Sequence, residues 1–317
     1  MKVALLGKIG GVTHWLEDCA TALRAEGHQV HIAVTRNPAV SRTLEDVLLS
    51  ERIGAPMAAA IARGVSRFAP DLIVAIGAYE IPMPILQRVA RHQGRPPFHA
   101  WIGDVFSEAG RSVAALFDGM AYTDSGLVDR HRRLGFPQPA IYLPHAANPH
   151  VGRPPAPERR REMMVFVANP TDHRRAVIEA VAGPLAIHGP GWPRTHPRHE
   201  MHARRVSPRQ LLNLYASAFA ALNIRNEHNV LFGLNQRNFD PYVFATPVVT
   251  DDQPDLSSCF EEGAEVLVWR GAEELNDLYA RLLRDPGEAA LVGERGRKRV
   301  LAEHTYSRRL ETLSRLG

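Results

Sequence analysis

A glycine pair, scattered carboxylates and a histidine triple are the residues of this 317-residue chain whose types and spacing suggest chemistry. Gly7-Lys8-Ile9-Gly10-Gly11 closes the first apolar run, and Gly10 and Gly11 would let backbone approach an anionic ligand closely at a helix N-terminus. A plain strand-to-helix turn would use the same pair. The spacing is not the G-x-G-x-x-G of a dinucleotide turn, no acidic residue closes the second run near Val34 to Arg36, and no Walker lysine follows a glycine loop, which argues against a nicotinamide dehydrogenase. Asp104, Asp124 with Ser125, and His145 each follow an apolar run at the end that faces ligand in open α/β sheets; each could also cap a helix or turn. His196-x-x-His199-x-x-His202 would spread three imidazoles over one broad face of a helix, a metal-site pattern. Pro193, Pro197 and the surrounding arginines, with no Asp or Cys in step, weigh against it, and no metal is expected.

The elements that must position these residues are legible as short apolar runs alternating with longer segments of helical period, the pattern of parallel strands covered by helices. Strands are predicted at 3–6, 30–34, 72–76, 99–102, 120–122 and 141–143, and again at 164–167, 185–187, 220–224, 248–250 and 266–269. Leu16, Ala20 and Leu23 recur at helical spacing, and Gly27 stands where a glycine C-cap would end that helix. Residues 151–162 are proline-rich and then charged, cannot continue a sheet, and are read as a linker between domains at 1–150 and 163–303. The tail reads as helix with a break near His304 and Thr305. The fold class is α/β with two Rossmann-like halves.

Composition narrows the partners. Lys plus Arg exceed Asp plus Glu by 38 to 34, a small surplus for this length, and the basic clusters lack interleaved aromatics, so no nucleic acid polymer is expected. Two cysteines without framework spacing fit a reducing compartment, and no run reaches a membrane-spanning length, so the expectation is a cytoplasmic protein without a transmembrane segment.

A more specific reading comes from residues 163 to 310. Phe166-Val-Ala-Asn169 before Arg174-Arg175, Ile187-His-Gly-Pro-Gly-Trp192, Leu222-Asn-Ile224, Asn235-Gln-Arg237-Asn-Phe239-Asp240, Pro247-Val-Val-Thr-Asp251 and Glu303-His-Thr-Tyr306 with Arg309 together resemble, in that order, the donor-binding half of group-one glycosyltransferases of the CgeB type. The first half is similar more loosely, through Gly10-Gly11, Gly27-His28-x-Val30 and Leu143-Pro-His145. The resemblance implies the GT-B fold, two Rossmann-like domains facing a central cleft. It also implies sugar transfer from a nucleotide-sugar, with UDP as the expected nucleotide, the acceptor on the first domain and residues 304–317 packing back on it. No resident cofactor is implied, and cationic side chains stand in for a divalent ion.

The family positions carry roles. Asp240 matches the acidic residue that accepts hydrogen bonds from the ribose hydroxyls, though the family usually has glutamate there; a helix-start carboxylate is the other reading. Asn235, Gln236, Arg237 and Asn238 enter a helix, so its dipole and the Arg237 guanidinium could both face a diphosphate. One of Arg174 and Arg175 is expected on that diphosphate as well, next to Asn169. Gly189, Gly191 and Trp192 frame the nucleobase, or Trp192 is structural. The E-x7-E pair of the family places its first glutamate at Phe232, a departure for which Glu227 or His228 could compensate. Retention, which needs no protein nucleophile, is preferred over inversion. His14 is the candidate base or acceptor hydrogen-bonder, with an incidental helix-terminal histidine as the alternative, and Asp104 would hold acceptor or sugar hydroxyls. A small soluble acceptor is expected. A nucleotide-sugar epimerase or hydrolase of the same fold, and a non-catalytic nucleotide or carbohydrate binder, are the rival readings.

Overall fold

The computed structural model of the protein describes residues 1–9, 14–36, 51–155 and 161–316, and for residues 51–55 the backbone alone. Gly10, Gly11 and residues 156–160 of the expected linker lie outside the described residues. The chain divides into two units, Met1–Leu143 with Tyr306–Gly317, and Pro144–Thr305. The first crossing therefore falls at Leu143/Pro144, ahead of the proline-rich stretch where the composition put it, and residues 144–150 belong to the second unit.

The first unit is a six-stranded parallel sheet in the order β2-β1-β3-β4-β5-β6. Its strands are β1 (Lys2–Lys8), β2 (Gln29–Arg36), β3 (Leu72–Ile76), β4 (Phe98–Ile102), β5 (Gly119–Tyr122) and β6 (Ala140–Tyr142). Around it lie α1 (Trp15–Ala25), α2 (Glu51–Phe68), α3 (Met83–Ala90), α4 (Arg111–Ala114), α5 (Ser125–Arg133) and the C-terminal α10 (Tyr306–Leu313). Strands covered on both faces cannot alternate with polar residues, and accordingly every residue of β3 and β4 is buried. Gly27 ends α1 with φ +85°, the left-handed cap that a Cβ would disfavour. Helix α10 belongs to this unit: Ser307 Oγ donates to Glu26, and the Tyr306 ring meets Trp101 edge-on at 6.2 Å.

The second unit is another six-stranded parallel sheet, in the order β12-β11-β10-β7-β8-β9. The strands are β7 (Met164–Val167), β8 (Leu185–His188), β9 (Glu200–His202), β10 (Ala221–Asn223), β11 (Val248–Asp251) and β12 (Leu267–Trp269). The helices are α6 (Asp172–Ala180), α7 (Pro208–Ser217), α8 (Ala272–Arg284) and α9 (Pro286–Glu303), the last ending just before His304. Period-two alternation divides the strand side chains between two apolar layers. Met164, Phe166, Leu185, Ile187 and Leu222 pack into one, and Val165, Val167, Ala186 and Ala221 into the other. Strand β9 replaces the helix that would have put His196, His199 and His202 on one face. His202 lies in β9 stacked on His188 at 4.2 Å, while His196 stacks on His199, whose ring accepts from Leu185 N and meets the Ile178 carbonyl. Among the described residues no three potential ligands gather. None of the described helices is long and apolar enough to cross a membrane.

Candidate functional site

Strand order locates the place for a ligand in each unit. Read from β9, the second sheet runs third, second, first, fourth, fifth, sixth strand, so its order reverses between β7 and β10. A crevice opens there because the connections leave in opposite directions. Arg174, in the first turn of α6, spans that point. Its Nη1 donates to the Asn169 carbonyl after β7 (2.9 Å), and its Nε and Nη2 donate to the Ile224 carbonyl after β10 (3.2 and 3.1 Å). The side chain is buried, and burial together with the nearby Arg237 charge pushes its guanidinium down to about 9. Arg174 thus joins the two loops and puts a fixed cation beneath them.

A polar network holds a second cation beside it. Asn223, the last residue of β10, donates from Nδ2 to Asn238 Oδ1 (3.1 Å) and Thr250 Oγ1 (2.9 Å). Its Oδ1 accepts from Asn235 Nδ2 (2.9 Å) and from Arg237 Nε (3.1 Å). Asn235 also caps the short 3-10 turn 236–238 by accepting from Arg237 N at 2.9 Å. Asn238 is fully buried, with its amide committed to Asn223 and Thr250. Asn235 and Asn238 therefore shape the loop. Arg237 is half-buried, and its two Nη groups have no partner among the described residues. Burial holds its guanidinium below the usual arginine value, against the opposing pull of Tyr215, Asp251 and Asp240.

Asp240 opens the next 3-10 turn, 240–244, and is 9% exposed. Gln236 Nε2 donates to its Oδ1 at 2.8 Å and also to the Ala146 carbonyl, drawing the 144–147 segment into the same network. His145 accordingly sits, buried, in the second unit and not in the first, where its position after β6 had put it. Asp251 ends β11 and receives Arg225 N at 3.1 Å; burial pushes its carboxyl up, with Arg225 opposing. Gln253 Nε2 bonds both Thr250 and Asp251. Asn223, Arg225, Thr250, Asp251, Gln253 and Tyr215 are members of the constellation that no site was assigned to from sequence. The one available signal was that Asn223, Thr250 and Asp251 are polar residues at the carboxyl ends of apolar runs.

The loop after β8 is set by backbone geometry. Gly189 has φ +145°, and a Cβ there would stand 2.3 Å from the Ala168 carbonyl oxygen, so only glycine lets the two loops touch. Trp192 is buried in the apolar layer with its indole N–H spent on that same carbonyl at 2.7 Å, so it packs under the loop and offers no face to a base. Arg175 lies over the Trp192 ring and donates to the Gly191 carbonyl at 3.1 Å. Beside this loop, past the ends of β8 and β9, is a cavity of about 210 Å³ lined by His188, Arg204, Arg205, Gln210 and Asn213 among others. Burial and the His202 ring push His188 down to about 4. His228 is exposed beside Glu227, and Phe232 is exposed at 41%.

In the first unit the order reverses between β1 and β3. Lys8 at the end of β1 pairs with Glu80 after β3, a bridge across that point which the sequence had not suggested. His14 has φ 46° and ψ 30°, the left-handed region that a non-glycine residue enters at a cost of about 1–3 kcal/mol. Its ring is buried, Nδ1 lies 3.9 Å from Glu17 Oε1, and its Nε2 has no hydrogen-bond partner among the described residues. Asp18 is pushed up to about 6 by burial, against the pull of His14. Asp104 is exposed after β4. Asp124 is buried and accepts from Gly126 N at 2.8 Å as the cap of α5.

The two sheets with their strand orders define a GT-B fold. The family described as Glycosyl transferase-like matches residues 165–315. The sucrose-phosphate synthase of Thermosynechococcus elongatus is similar across 98% of this chain and 97% of its own, with TM-score 0.67 at 15% identity. Anabaena HepE in complex with UDP-glucose is similar over 99% and 98%, with TM-score 0.67 at 12% identity. The UDP-GlcNAc 2-epimerase of Neisseria meningitidis, bound to UDP-GlcNAc, is similar over 99% of both chains, with TM-score 0.58 at 10% identity. No curated protein sequence matches the chain.

Proposed function

We propose that the protein is a nucleotide-sugar-dependent glycosyltransferase that binds its donor, a UDP-sugar, on the second unit and its acceptor on the first. The observation that carries this reading is the pair of cations at the β7/β10 reversal. Arg174 is pinned to the strand ends, and Arg237 stands beside it with an open fork. Two like charges held close together repel each other, and a diphosphate bonded by the open fork of Arg237 relieves that repulsion, with Arg174 adding its charge from beneath. Asp240 accepts from the ribose hydroxyls, and the 210 Å³ cavity beside His188 takes the base in place of the surface of Trp192. The Anabaena neighbour bound to UDP-glucose and the family match over 165–315 support the same donor class.

In the reaction the acceptor oxygen bonds the anomeric carbon as the bond from that carbon to the phosphate oxygen breaks. Arg174 and Arg237 stabilise the charge that gathers on the leaving phosphate, so the transfer proceeds without a divalent ion. The proposed transfer proceeds with retention, the acceptor proton passing to the leaving phosphate and His14 positioning the acceptor. Asp104 holds acceptor or sugar hydroxyls from the end of β4, and the acceptor is a small soluble molecule.

Incubating the protein with UDP-sugars and a pool of small acceptors, followed by mass spectrometry and anomeric NMR, tests the proposal. A product heavier by one glycosyl unit, of retained configuration and unaffected by chelator, is expected. Isomerised nucleotide-sugar formed without acceptor would instead identify an epimerase. Binding of UDP with no product from any acceptor would identify a non-catalytic binder.

A further inference from the structure

Helices α2 and α3 of the first unit enclose a groove of about 730 Å³, within the roughly 300–1,000 Å³ typical of ligand sites. Four arginines line it, Arg63 and Arg67 from α2, Arg88 from α3 and Arg91 just past its end, with His92 beside them and no carboxylate among the described lining residues. All four arginines are exposed, and none has a hydrogen-bond or ion-pair partner for its guanidinium among the described residues. Several other arginines are paired: Arg95 with Asp118, Arg161 with Glu200, Arg270 with Glu262, Arg299 with Glu265. Like charges one turn apart on a helix destabilise it, and here two such pairs face one another across a groove. An uncompensated arrangement of this kind is what a polyanionic partner would neutralise.

The floor shows which polyanion. Ala59, Ala62 and Pro84 make it small and apolar, and through Ala62, Ser66 and His92 the groove runs into a second cavity of about 190 Å³ walled by Val65, Ile73 and Val89. A nucleic acid or polyphosphate backbone has nothing apolar to set there, and the described lining residues include no Phe, Tyr or Trp on which bases could stack. A bilayer would need large apolar side chains to insert, and the exposed ones among the described residues (Met1, Val34, Phe232, Leu283, Leu291) all lie outside the groove. We infer that this groove docks an acidic polypeptide segment of a partner protein, with carboxylates on the four arginines and one large apolar side chain seated in the smaller cavity. The inference is independent of the donor site and of the proposed transfer reaction.

The full-length protein should bind a fluorescent decapeptide of alternating Glu and Ala carrying one Phe, measured by anisotropy. Replacing every Glu by Gln, or the Phe by Ser, should weaken binding at least about tenfold, roughly one charge-assisted contact or one buried anchor. The double variants Arg63→Gln/Arg88→Gln and Arg63→Glu/Arg88→Glu should do the same, with an unchanged melting temperature showing that both fold. Equal binding of the Glu and Gln peptides, or undiminished binding by the folded variants, overturns the inference. So does preferential binding of phosphatidylglycerol vesicles or oligo-dT over the acidic peptide.

Discussion

Replacing Arg237 by methionine separates a ligand-binding cation from a structural one. The guanidinium donates one bond inside the fold, Nε to Asn223 Oδ1, and that oxygen keeps a second donor in Asn235 Nδ2 at 2.9 Å. Methionine preserves the packed stem and removes the charge that presses on Arg174, so the ligand-free protein should melt within about 3 °C of wild type, the shift expected for about 1 kcal/mol in a unit of this size. Binding should suffer far more. The two Nη groups can each make a charge-assisted hydrogen bond, and losing them should cost about 3 kcal/mol, roughly a hundredfold in Kd. At a UDP concentration about 100 times the wild-type Kd, ligand adds about 2.7 kcal/mol of stability and about 5–10 °C of melting temperature. At that same concentration the variant should gain only about 0.4 kcal/mol, near 1 °C. Differential scanning fluorimetry with and without UDP reads both quantities. A wild-type UDP shift in the variant, or a ligand-free melting temperature lower by more than about 6 °C, would refute the reasoning.

Three further outcomes follow from the same geometry. Arg174→Met should cost about 2–4 kcal/mol in chemical denaturation, because it leaves the Asn169 and Ile224 carbonyls without their donors in a buried setting; an unchanged midpoint would show that those bonds are not needed. On the proposed contact of its carboxylate with the ribose hydroxyls, Asp240→Asn should weaken UDP roughly tenfold in calorimetry while leaving pyrophosphate affinity unchanged. His188 in the folded state takes its proton only near pH 4, whereas the unfolded chain takes it near 6.5. The unfolded state therefore binds more protons between those values, and stability should fall by about 3 kcal/mol as pH drops from 6.5 to 4, then level off for this group. His188→Gln should flatten that slope, and an equally steep acid limb in the variant would place its origin elsewhere.

Much of the scaffold is legible in the sequence. Strands β1 to β8 and β10 to β12 are legible as apolar runs, the central ones because a parallel strand covered on both faces is apolar throughout, and Gly27 and the His304-Thr305 break mark helix ends through backbone chemistry that is local. Strand β9 was not legible. Its Glu-Met-His sequence at a sheet edge has no apolar run to betray it, and a spacing of three histidines mimicked a helical face. The extended backbone instead sent His202 to stack on His188, away from His196 and His199.

The sequence by itself determined two α/β halves, the polar loops at the ends of their strands, and which arginines the second half carries beside those loops. Only the tertiary structure decided how those arginines divide their work. Whether a guanidinium is spent on a carbonyl or keeps donors open depends on groups distant along the chain: Ile224 claims Arg174 across fifty residues, while Asn223 leaves Arg237 its open fork. Trp192 went into the apolar layer because the Ala168 carbonyl satisfied its N–H there. His145 joined the second unit because the chain crosses over at Leu143, a choice made by packing that composition does not encode.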